Sequence, residues 1–141
     1  MERKTPEGGY MAVELVDRLI EGGIAEVRDA YKDPEQSHKL EGALEGFELA
    51  RTLPATYEDF DWVVTEREEA ERQMRHRLHD SRTEEAQKEF WKHRWATLQL
   101  EYIRNILLVA KFASGEPLPP DTSLSSRAVM KYASIVSVTE G

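Results

Sequence analysis

Cysteine is absent from the 141-residue chain. That excludes a disulfide scaffold, a thiolate zinc site and a cysteine nucleophile. Long apolar runs are also missing. The best one, Ile106 to Ala113, is broken by Lys111 and falls far short of the ~20 residues of a membrane span. Residues 1–9 carry no apolar stretch of the signal-peptide kind, so a cytoplasmic location and no membrane partner are expected. Basic charge is in deficit. Against 27 Asp and Glu there are only 19 Lys and Arg, a formal net charge of −8. Such a surface repels phosphate backbones, which disfavours nucleic acid as a partner. The one basic cluster, Arg72, Arg75, His76, Arg77 and His79, stands beside Glu66, Glu68, Glu69 and Glu71, which cancel most of it. No Gly-x-Ser-x-Gly is present, and the eight glycines form neither a dinucleotide fingerprint nor a P-loop.

What is present is helical patterning. Thr5-Pro6 reads as a cap with proline in the first turn. Val13, Val16, Ile20, Ile24, Val27 and Tyr31 then recur at steps of three and four, interrupted by Gly22-Gly23. Paired glycines cost about 2 kcal/mol against alanines and mark a kink, a break or the close approach of a neighbour. Asp33-Pro34-Glu35-Gln36 is a strong start signal for a second helix, with Leu40, Ala43, Leu44, Phe47 and Ala50 on one side and a stop at Leu53-Pro54. Thr56 and Asp59 predict a third helix from about Tyr57 to His79, acidic at its start and basic at its end as the helix dipole favours. Its first half carries Phe60, Trp62, Val63 and Val64. The second keeps only Ala70, Met74 and Leu78, with Glu68–Arg72 and Glu71–Arg75 as i,i+4 pairs.

Ser81 and Glu84 sit at capping-box spacing before a fourth helix running to Ser114, where Gly115 and Pro117 stop it. Its length of about 46 Å implies a long antiparallel hairpin with the third helix. Trp91, Trp95, Leu98, Tyr102, Asn105, Val109 and Phe112 form one heptad-spaced stripe, and Ala96, Leu100, Ile103, Leu107 and Ala110 form a second. A helix apolar on two faces is central in its bundle or lies in an oligomer interface. The expected architecture is all-α: an up-down four-helix bundle with the long hairpin and a short C-terminal helix. The expected division is a helical domain over 1–115, a Pro/Ser-rich linker over 116–126 and a tail over 127–141. In the tail, helical spacing of Val129, Tyr132, Ala133 and Val136 competes with the strand preference of Ile135 to Val138.

Several patterns bear on chemistry. Glu35-x-x-His38 stands at a helix start without the second Glu-x-x-His that a di-metal carboxylate bundle needs. His76 with His79, and Glu89 with His93, have spacings that can chelate, yet histidines near a helix end also serve its dipole. Glu45-Gly-Phe-Glu48 on the second helix precedes Glu58-Asp-Phe-Asp61 on the third. Order and placement resemble the all-α nucleoside triphosphate pyrophosphohydrolases of the MazG type. In that family such carboxylates hold Mg²⁺, which bridges the phosphates and activates water. The resemblance implies Glu45, Glu48, Glu58 and Asp61 as metal ligands with Mg²⁺ as cofactor. The stretch between the pairs, Leu49 to Tyr57, is shorter than the family usually shows. Finally, Arg94, Thr97, Glu101 and Arg104 line one strip of the fourth helix. Arg94 and Glu101 are candidate ligand-binding residues, since an arginine beside aromatics suits a carboxylate or phosphate. An internal ion pair is the plainer use.

The leading expectation is a non-catalytic interaction or assembly protein, self-associating or partnered by another protein. Trp91, Trp95, Leu100, Ile103, Leu107, Val129, Tyr132 and Val136 are its candidate interface, and no cofactor is needed. The Mg²⁺-dependent pyrophosphohydrolase is the alternative.

Overall fold

The computed structural model describes residues 10–80 and 83–140. It is all-α: α1 Tyr10–Ala30, a single 3-10 turn Pro34–Gln36, α2 Ser37–Thr52, α3 Tyr57–Asp80, α4 Glu84–Ala113 and α5 Ser126–Glu140. Among the described residues no helix is long and apolar enough to cross a membrane. Thr5-Pro6 and Ser81 lie outside the described residues.

Local chemistry sets most boundaries. The Asp33 carboxylate accepts from the Glu35 backbone N–H at 3.0 Å, and Pro34 occupies the first turn. The Thr56 hydroxyl accepts from the Asp59 N–H at 3.2 Å and donates to the Asp59 carboxylate, a side-chain cap on α3. Thr83 caps α4, accepting from the Ala86 N–H at 3.2 Å. At the other end of α4, Gly115 adopts φ +82°. Its N–H donates to the Phe112 carbonyl and the Glu116 N–H to the Lys111 carbonyl, the paired closure of a Schellman stop. The tail is helical, as its i, i+3, i+4 spacing favours.

Packing is organised around α4, which is in contact with α1, α2, α3 and α5. The α2–α4 seam is the tightest. A Cβ built on Gly42 would stand 2.4 Å from the Lys92 carbonyl oxygen, and one on Gly46 would stand 2.5 Å from that of Ala96. The two helices thus touch backbone to backbone, and the rising order of these pairs makes them parallel. α3 runs antiparallel to α4: Asp61 meets Arg104, Arg67 meets Thr97 and Glu71 meets Arg94. In an up-down ring α2 would also pack on α3, but that pair is not among those in substantial contact.

The core gathers Leu15, Val16, Leu19, Ile20, Phe47, Phe60, Val64, Leu100, Ile103 and Ile106 with their neighbours. Burying a side chain such as Phe47 stabilises by about 1.5–3 kcal/mol. α1 runs through Gly22-Gly23 without a break: Gly22 faces open space, and Gly23 receives the Phe47 ring. From Leu98 to Lys111 the chain's own helices bury one side of α4, and Leu98, Gln99, Glu101, Tyr102, Arg104 and Asn105 are half-buried. The second apolar stripe is the one in the core, with Ala96, Leu100 and Ile103 fully buried. The first lies along a half-covered flank and ends on exposed Phe112.

Candidate functional site: a buried polar seam between α3 and α4

The apolar line of α3 starts with Phe60 and Val64, both fully buried. The next positions on that line, at steps of three and four, are Arg67 and Glu71, followed by half-buried Met74 and Leu78. Two charged residues therefore occupy positions facing α4. Glu71 is only 4% exposed. Isolated burial of a carboxylate is costly, and α4 supplies the partners. Arg94 Nη1 lies 3.2 Å from Glu71 Oε1 and 3.4 Å from Glu101 Oε1. Arg67 spans the same seam one turn up, donating from Nε to the Thr97 hydroxyl at 2.9 Å and from Nη2 to the His93 carbonyl at 3.2 Å. Thr97, fully buried, donates in turn to that carbonyl at 3.0 Å. Further along, Arg104 pairs with Asp61 at 3.1 Å and Lys111 with Glu58.

One pair in this network is incomplete. Glu71 Oε2 and His93 Nδ1 are both buried and have no hydrogen-bond partner among the described residues. They face each other at 3.7 Å, beyond hydrogen-bond range. Each such orphan costs about 1–3 kcal/mol. Burial holds the His93 imidazole below its ordinary pKa, and the Arg67 cation pushes the same way, against the weaker pull of Glu71 and Glu45. Burial also raises the Glu101 carboxyl, opposed chiefly by Arg94. Burial lowers the Arg67 guanidinium, against Glu45 and Glu71, though arginine remains a cation.

The residues singled out from sequence fall into three groups. Arg94 and Glu101 lie together, and Arg94 is paired with both Glu71 across the seam and Glu101 on its own helix. Of the four carboxylates of the Mg²⁺ reading, Glu45 and Glu48 stand exposed on α2, with Glu48 3.5 Å from Arg51. Glu58 and Asp61 pair with Lys111 and Arg104 of α4. Among the described residues no three His, Asp or Glu gather as a metal ion requires. Of the interface candidates, Leu100, Ile103 and Leu107 are buried by the chain's own helices. Trp95 is half-buried, edge-on to Tyr31 at 5.1 Å with Lys39 over both rings. Tyr132 and Val136 are half-buried, whereas Trp91 and Val129 are exposed.

Glu71, Arg67 and the exposed Trp62 and Met130 were not anticipated. The expected Glu71–Arg75 pair is replaced by Glu71–Arg94, and Arg75 lies over the Phe90 ring instead. Arg72 takes Glu69 as its partner rather than Glu68. A signal was available: the line Phe60, Val64, Arg67, Glu71, Met74, Leu78 keeps a strict 4-3-4-3-4 spacing straight through the two charges.

The all-α class is therefore established by the fold, and the seam is chemically an ion-pair and hydrogen-bond network. Comparison with protein-family models, curated proteins and solved structures returns no match.

Proposed function

We propose that this chain is a small acidic helical assembly protein that self-associates through the outer face of α5, without catalytic activity of its own. The observation behind this reading is that large apolar side chains stand in solvent although the core is already complete. On α5, Met130 is 71% exposed and Val129 40%. The inner face of the same helix, Ala128, Tyr132 and Ile135, covers the core. α5 thus carries apolar residues on both sides, as a helix between two protein surfaces does. Its charges suit contact with the acidic surface of a second copy: it bears Arg127 and Lys131 on a chain of net charge −8, which sets opposite charges together. Trp62, Trp91 and Phe112 are further exposed apolar groups on α3 and α4.

The test is sedimentation velocity over micromolar to submillimolar protein, on the wild type and on a Val129→Glu, Met130→Glu double variant. The expected wild-type mass rises above the monomer with concentration. The double variant stays monomeric with unchanged far-UV circular dichroism. A wild type that remains monomeric throughout overturns self-association.

A further inference from the structure

We propose that the outer face of α3 is the surface on which α5 of a second copy docks, with Met130 of one copy against Trp62 of the other and Arg127 beside Asp59 and Glu66. The inference rests on the self-association reading above and adds which surface α5 meets. Three observations carry it. First, α3 has little cover. Among the described residues its substantial helix contact is with α4, whereas α1, α2 and α5 each pack on at least two helices. The open side holds Asp59, Trp62, Glu66 and Glu69, all exposed and spaced by three, four and three, so they share one face. Glu69 is engaged by Arg72, which leaves Asp59 and Glu66 flanking Trp62. An indole that is 65% exposed thus stands framed by carboxylates.

Secondly, α5 is its complement in charge and shape. Its outward side shows exposed Arg127, Met130, Ala133 and Ser134. Met130, 71% exposed, is an adaptable apolar group whose sulfur makes favourable contacts with aromatic rings. Arg127 brings a guanidinium that pairs with a carboxylate or stacks on the indole. Ala133 and Ser134 are small and let another helix come close. Charge selects this pairing over the symmetric ones. Two α3 faces would oppose acids, and two α5 faces would oppose Arg127 to Arg127. Thirdly, one chain cannot make the contact with itself. α5 packs on α4 and α1, its inner residues Ala128, Tyr132 and Ile135 cover the core, and α3 with α5 is not among the helix pairs in substantial contact. The two patches are different surfaces, so the contact is heterologous and each copy offers one of each.

The experiment is complementation between two single variants of the full chain. Trp62→Gln spoils the α3 patch and leaves α5 intact; Met130→Glu sets a carboxylate against the acidic face and leaves α3 intact. Sedimentation velocity follows each alone and the two mixed, at concentrations where the wild type associates. Both side chains stand in solvent, so unchanged far-UV circular dichroism is expected. Each variant alone should self-associate about 30-fold or more weakly, the loss of an anchor residue. The mixture should recover a complex of one copy of each, and that complex should weaken at high salt. Trp62→Gln associating as the wild type does overturns the α3 site, and so does a mixture in which both stay monomeric. In either case the wild type still associates and the self-association reading stands. A wild type that is monomeric throughout overturns both. Should Trp62→Gln not fold, Glu66→Lys spoils the same patch by setting a cation against Arg127.

Discussion

The α2–α4 seam offers a sharp test, because two glycines in similar helical settings predict opposite signs on substitution. Replacing a helical glycine by alanine gains about 0.8–1 kcal/mol of propensity wherever the methyl has room. Gly22 has that room: a Cβ there meets nothing within 4 Å. Gly22→Ala is expected to stabilise by about that amount. At Gly46 the same Cβ would stand 2.5 Å from the Ala96 carbonyl oxygen and 2.9 Å from its Cα. Both are backbone atoms and cannot rotate away. α2 must retreat by roughly 1 Å to restore an ordinary contact, which forfeits much of the dispersion along the seam. Overpacking of this kind costs about 1–3 kcal/mol, and a rigid backbone contact belongs at the upper end. The propensity gain offsets about 1 of that, leaving Gly46→Ala less stable than wild type by about 1–2 kcal/mol. The gap between the two variants is then about 2–3 kcal/mol, or roughly 3–5 °C in Tm per kcal/mol for a chain of this size. Urea and thermal unfolding followed by far-UV circular dichroism read both numbers. A Gly46→Ala protein that melts at or above Gly22→Ala refutes the close α2–α4 contact.

Two further substitutions probe the polar groups. Thr97→Val keeps the shape but removes the hydroxyl that accepts from Arg67 Nε; leaving that buried donor unpaired should cost about 1–3 kcal/mol in urea unfolding, and a neutral effect would mean Arg67 draws nothing from the contact. Burial pushes the Tyr102 phenol up to about 12, so the stabilisation it gives is complete below the unfolded value of about 10 and is lost as pH rises from there toward the folded one. Tyr102→Phe should flatten the alkaline loss of stability, and a loss as steep as in wild type would contradict that assignment.

What was legible in sequence was local. Asp33-Pro34, Thr56 with Asp59, and Gly115 each act through bonds within a few residues, and each does in the structure what its chemistry demands. The long hairpin was legible because only a short polar stretch of sequence around Ser81 separates two uninterrupted helical patterns. The rest depended on partners. α4 offers two stripes of similar apolarity, and which one enters the core is decided by the helices that cover it. The apolar side of α2 was legible, and Ala43, Phe47 and Ala50 are buried, but its contact with α4 was not, because Gly42 and Gly46 contribute no apolar surface to a periodicity. In sequence Glu71 pairs most simply with Arg75 on its own helix, as a glutamate among glutamates and arginines normally does. Only Arg94, 23 positions away, makes its burial tolerable.

The same reasoning locates where this chain can meet another. A helix apolar on two faces needs cover, and between Leu98 and Lys111 α4 is buried on one face and half-buried on the other within its own chain. Leu100, Ile103 and Leu107 are therefore committed to the core, and exposing them means unfolding it. Any docking surface must use side chains that remain outside after that core closes. α3 places Trp62, 65% exposed, between Asp59 and Glu66 on its outer face, so two copies of that face repel each other. α5 differs in composition. From Ser126 to Thr139 it carries Arg127 and Lys131 and no acid, with Glu140 at its end. Lys131 reaches back to Glu26 of α1 at 3.4 Å, which ties the helix down and leaves Val129 and Met130 facing outward. On that helix charge and exposed apolar area favour association together, so the double charge substitution belongs there.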